Sequence, residues 1–159
     1  MYIVVAIAVL MSSCYSFTGG SLPEHLETIY IANVLDNSGY GNPTYKDNLQ
    51  ELLIEQFNRD GSVSVSDRRS DCKLDVTITA IKEQSASISA GDYEKERKIV
   101  ISVNAIFYDN VEKKTIAEKK LSAFALYDVQ TVPYGRDEAV ETILKQLSED
   151  ILFAIVSGW

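Results

Sequence analysis

Ile99, Ile101, Val103, Ala105 and Phe107 recur at every second position, with Lys98, Ser102, Asn104 and Tyr108 among the residues between them. A strict two-residue period puts one set of side chains on one face of an extended strand, so this segment commits the chain to a long strand with one buried face. Such a face must be covered by another layer. Asp109-Asn110 supplies a turn, and Thr115 to Tyr127 returns as a second long strand. On the return strand, Leu121, Ala123 and Ala125 compete with Phe124 and Leu126 for the core face, and the pattern leaves both readings open.

The cover is found on both sides of this hairpin in sequence. Beyond Pro133 and Gly135, Val140, Ile143, Leu144, Leu147, Ile151, Ala154 and Ile155 form a helical stripe, which predicts a helix of about five turns. Asn42-Pro43 reads as an N-cap followed by proline at the first helical position. Leu49, Leu52, Leu53 and Phe57 then share a helix face, and Asp60-Gly61 ends it. Thr28 to Leu35 reads as a strand before this helix, and Ser62 to Ser66 as a short strand after it, laid parallel to the first by the crossover. Leu74, Val76, Ile78 and Ala80 alternate with Asp75, Thr77 and Thr79 as one more strand. Strand, helix, strand, three-stranded meander and helix give an α+β fold, two helices on one face of a mixed four- to five-stranded sheet.

The N-terminus carries a different message. Tyr2 to Met11 is apolar and free of charge, too short for the roughly 20 residues that span a bilayer but within the range of a secretory signal. Ser12 and Ser13 lead into Cys14, which looks like a bacterial lipobox, with Met11 where leucine is commoner and without the usual basic opening. The competing reading is a buried N-terminal element with a core cysteine. The expected organisation is a signal peptide over 1–13, a lipidated tether over 14–27 and a single domain over 28–159. Tyr15 and the residues after it lack an aspartate next to the cysteine, which by lipoprotein sorting rules favours the inner leaflet of the outer membrane.

Catalytic chemistry finds little to work with. The chain has one His and two Cys, so Cys-based zinc clusters and disulfide scaffolds are excluded, and no metal or cofactor is expected. His25 reads as a solvated loop residue and Cys72 as a small buried apolar one. Asp137, Glu138, Glu141, Glu149 and Asp150 read as the solvated side of the last helix. Glycine-rich phosphate loops and nucleophile elbows are missing, so the chain is not read as an enzyme. With 15 Lys and Arg against 23 Asp and Glu, a formal charge of −8 argues against nucleic acid as a partner. Charge is nevertheless divided. Residues 95–120 are net +3, through Lys95, Arg97, Lys98, Lys113, Lys114, Lys119 and Lys120, whereas 136–159 are net −3. The basic hairpin reads equally as an edge protected from aggregation or as an anion-binding surface.

The cysteine followed by YSFTGGSLPEHLETIYI, the helix DNLQELLIEQFNRDG running into SVSVSD, the strand LDVTITAI, KKLSAFALYD and the terminal EDILFAIVSGW together resemble the LptE family of lipopolysaccharide-assembly lipoproteins, as found on the Bacteroidetes and Chlorobi side. The resemblance implies an outer-membrane lipoprotein that plugs the lumen of an LptD-type β-barrel and helps deliver lipopolysaccharide to the outer leaflet. Cys14 is the lipid site carried over from it. The seven basic residues named above are the candidate lipopolysaccharide contacts, since lipid A phosphates call for cations beside apolar surface. A lipoprotein activator of a peptidoglycan synthase is the alternative, disfavoured because only about 13 residues separate Cys14 from the first strand.

Overall fold

A computed structural model describes residues 22–86 and 96–157; Cys14 and Lys95, and with them the expected signal peptide, lie outside the described residues. The chain forms β1 (Thr28–Ile31), β2 (Leu35–Asp36), α1 (Pro43–Asp60), β3 (Ser64–Val65), β4 (Cys72–Ser85), β5 (Glu96–Asp109), β6 (Lys114–Asp128), a single 3-10 turn (Val129–Thr131) and α2 (Tyr134–Val156). One mixed sheet runs β3-β1-β4-β5-β6, with β2 also on β4. The strands β1, β2 and β3 pair in parallel, while β4, β5 and β6 make the antiparallel meander. The expected α+β fold is the one observed.

Local chemistry accounts for the helices. Asn42 accepts a hydrogen bond from the Thr44 N–H at 3.1 Å, Pro43 starts α1, and Gly61 at φ 73° returns its N–H to the Phe57 carbonyl. A glycine tolerates that left-handed conformation without penalty. Leu49, Leu53 and Phe57 from α1 and Val140, Ile143, Leu144, Leu147, Ile151 and Ile155 from α2 join Ile99, Ile101, Val103, Ala105 and Phe107 of β5 in one buried core. Leu52 packs at its margin.

Two details depart from the sequence expectation, and one open question is resolved. The segment read as one strand is two: at Val34 the backbone N–H turns away from the sheet to the Gln50 side chain at 2.8 Å, so β1 and β2 meet β4 separately. In β4 a bulge between Ile78 and Ala80 shifts the alternation by one, so Ile81 and not Ala80 continues the core row. In β6 the open question resolves: Ala123 and Tyr127 are buried, whereas Phe124 and Leu126 are 56% and 52% exposed on the other face.

Candidate functional site

The sheet has a helix-covered face and, among the described residues, an open one. Register places Lys98, Val100, Ser102, Asn104 and Ile106 of β5 beside Leu126, Phe124, Ser122, Lys120 and Glu118 of β6 on that open face. Lys98 Nζ stands 3.9 Å from the centre of the Phe124 ring, a cation–π contact that holds a charge against exposed apolar surface. Farther along, Ser102 and Ser122 share a hydrogen bond of 2.8 Å, and the Asn104 amide donates to Glu118 at 3.0 Å. Apolar and cationic groups are thus adjacent at one end of the open face, and polar pairs fill its middle.

The candidate basic residues do not form one patch. Lys98 and Lys120 share the open face. Lys119 pairs with Ala105, a core-facing position, and so stands on the helix side. Lys113 lies in the β5–β6 turn at φ 55°, and Lys114, the first residue of β6, is paired with Glu112. Arg97 reaches Glu83 at 3.7 Å.

Sequence reasoning missed the polar network around Glu83. This carboxylate, 17% exposed, accepts hydrogen bonds from the Tyr40 hydroxyl and from the Tyr127 hydroxyl, the latter at 2.7 Å, with Arg97 alongside. Burial alone would raise its pKa; the two hydroxyls and the charges of Arg136 and Arg97 outweigh that and hold it below the ordinary glutamate value. Burial and the Glu83 contact push Tyr40 up to about 12. Tyr45 stacks on Tyr40 with centroids 6.0 Å apart. The network joins the loop before α1 to the ends of β4 and β6.

A second network lies at the opposite end of the sheet. Asp71 accepts hydrogen bonds from the Thr28 hydroxyl at 2.7 Å and from the Thr28 and Glu27 N–H groups, and the Thr28 hydroxyl in particular depresses its pKa. Asp109, 1% exposed, takes the Val111 and Glu112 N–H groups on Oδ1, both at 2.8 Å, and His25 Nε2 on Oδ2 at 2.7 Å. His25 keeps its place in the loop before β1, 36% exposed, and is in addition tied to the β5–β6 turn, a contact that the solvated-loop expectation did not include. Nothing in the sequence could show this, because the partners are 84 residues apart. Cys72 is fully buried, its thiol donating to the Thr28 carbonyl at 3.2 Å, and burial together with Asp71 and Asp109 pushes its pKa up to about 12. The thiolate is the reactive form, so Cys72 should resist iodoacetamide in the native protein and react once urea unfolds the chain. Mass spectrometry before and after denaturation checks this, and rapid native labelling at Cys72 would contradict it.

Both networks spend their acids on hydrogen bonds that join strands, loops and turns, which is scaffold chemistry. The architecture is shared by bacterial lipoproteins of known structure. The minor lipoprotein of Acinetobacter baumannii matches with a TM-score of 0.58 at 14% identity, over 82% of this chain and 92% of that one. Lipoprotein B of Nitrosomonas europaea matches with a TM-score of 0.58 at 16% identity, over 87% and 91%. The PelC dodecamer of Paraburkholderia phytofirmans also matches, with a TM-score of 0.55 at 7% identity, over 87% and 95%. At such identities the likeness is one of fold. No curated protein sequence matches the chain. The class is thus a small α+β domain with two helices on one side of an open mixed sheet. Within that class the sequence profile of the lipopolysaccharide-assembly family LptE matches residues 26–155, and the chain belongs to that family.

Proposed function

We propose that this protein is an outer-membrane lipoprotein, lipidated at Cys14, that sits in the lumen of an LptD-type β-barrel as plug and assembly partner, and that it binds lipopolysaccharide during delivery to the outer leaflet without catalysing a reaction. The observation that carries the reading is the family match, which spans both helices and all six strands. The open sheet face supports it: Lys98 beside Phe124 and Leu126 offers a cation next to exposed apolar surface, the two features that a phosphorylated, acylated glycolipid requires together. A barrel lumen is polar and wet, which suits the Ser102, Ser122, Asn104 and Glu118 stretch of the same face.

Affinity purification of the tagged full chain from detergent-solubilised outer membrane tests both parts. A large β-barrel should copurify through moderate salt, because an enclosed plug buries far more than a standard interface. Replacing Lys98, Lys113, Lys114 and Lys120 by Glu, on the open face and at the turn, should keep the barrel and lower the lipopolysaccharide recovered with it. Lys119 is left intact because it stands on the helix side. Recovery of the lipoprotein alone would refute the barrel role, and undiminished lipopolysaccharide in the fourfold variant would refute direct binding by these cations.

A further inference from the structure

One ring nitrogen of His25, a carboxylate oxygen of Asp109 and a carboxylate oxygen of Glu112 all lie within 4.8 Å of one another. We propose that these three side chains form a divalent transition-metal site, with zinc as the best-fitting ion, that clips the segment leading into β1 onto the β5–β6 turn.

The argument begins with the ligand set. One imidazole nitrogen and two carboxylate oxygens are a borderline-hard combination that zinc accepts, with water completing a four-coordinate shell. Calcium prefers six to eight oxygen ligands, and this cluster offers two carboxylates and a nitrogen. Orientation comes next. The Val111 and Glu112 N–H groups hold Oδ1 of Asp109 at 2.8 Å each, which fixes the carboxylate and leaves Oδ2 directed at His25. This is the supporting contact that metal-ligating carboxylates usually have. Asp109 is 1% exposed, so its charge is costly to bury without a compensating group; the His25 hydrogen bond at 2.7 Å supplies one now, and an ion bound between the two side chains would replace that bond, with the ring proton released to solvent. Access is also present, since the His25 and Glu112 side chains are 36% and 47% exposed. Glu112 now engages Lys114, an exposed partner that a divalent ion would displace at little cost. The three ligands come from two parts of the chain that nothing in sequence joins, and the ion would close them into one unit.

The full chain, purified in detergent and stripped with chelator, should bind one zinc per molecule in isothermal titration calorimetry, with a rise in melting temperature. Calcium chloride should bind at least about tenfold more weakly. His25→Ala and Glu112→Gln should each weaken zinc binding by about tenfold or more. Glu112→Gln, at an exposed position, should leave the metal-free melting temperature unchanged, which separates loss of a ligand from loss of fold. Absence of zinc binding by the parent chain would overturn the proposal. So would zinc binding that persists in both variants, since that would place the ion elsewhere, or a preference for calcium.

Discussion

Phe107→Ala should destabilise the domain by about 3 to 5 kcal/mol and Leu147→Ala by about 2 to 5 kcal/mol, measured by urea unfolding of the purified chain. Phe107 is 1% exposed toward the C-terminal end of the inward row of β5, and Leu147 is fully buried on the inner face of α2. Both belong to one core with Leu53, Phe57 and Ile143, so truncating either removes apolar contact and leaves a cavity that the opposite layer cannot fully close. Phe124→Ala is the matching control. Its ring is the same size but 56% exposed on the open face, so the loss there should stay near 0.5 kcal/mol. Equal losses at Phe107 and Phe124 would mean that the faces of β5 and β6 are assigned wrongly.

That control also shows why part of the fold was legible and part was not. The inward row of β5 could be read because Ser102, Asn104 and Tyr108 interrupt the outward row with polar atoms. On β6, Phe124 and Leu126 are as apolar as Leu121 and Ala123, and period alone cannot choose between two apolar faces. The bulge after Ile78 was equally invisible, since it breaks the alternation through a backbone event that Thr79 does not announce. Splitting Thr28 to Leu35 into two strands depended on Gln50, a residue of the next helix that takes the Val34 N–H. For the site the division is sharper. Local signals found the basic hairpin and the Asp109 turn, but the Glu83 network and the His25–Asp109 pair join residues 43, 44 and 84 positions apart, and no spacing rule reaches that far. The lysines that sequence placed together were divided by the pleat, because Lys119 and Lys120 are neighbours in the chain and therefore project to opposite faces.

Glu83→Ala should cost about 2 kcal/mol, the scale of leaving partly buried hydrogen-bond donors without their acceptor. The substitution would leave the Tyr40 and Tyr127 hydroxyls without their acceptor and remove the negative charge beside Arg97, in a place where water only partly replaces them. Glu83→Gln keeps an acceptor oxygen of the same shape and should cost less, since it removes the charge and not the whole contact. The two variants also make a pH test. Glu83 has its pKa held below the ordinary glutamate value in the folded chain, so its stabilising contribution is complete above the carboxylate range and is lost as pH falls through the depressed value. The stability gap between the parent and Glu83→Gln should therefore be widest near neutral pH and narrow steadily as pH falls through and below the ordinary glutamate range. Tyr40 does not interfere in that window. Its pKa is raised to about 12, chiefly by burial and then by Glu83, so its contribution fades only as pH rises from the ordinary tyrosine range toward that value. Urea unfolding of both proteins across the acid range reads the gap directly. A gap that stays constant with pH would show that the Glu83 charge contributes nothing and that only its shape matters, in which case the network is held by the tyrosine hydroxyls and the ring stack alone.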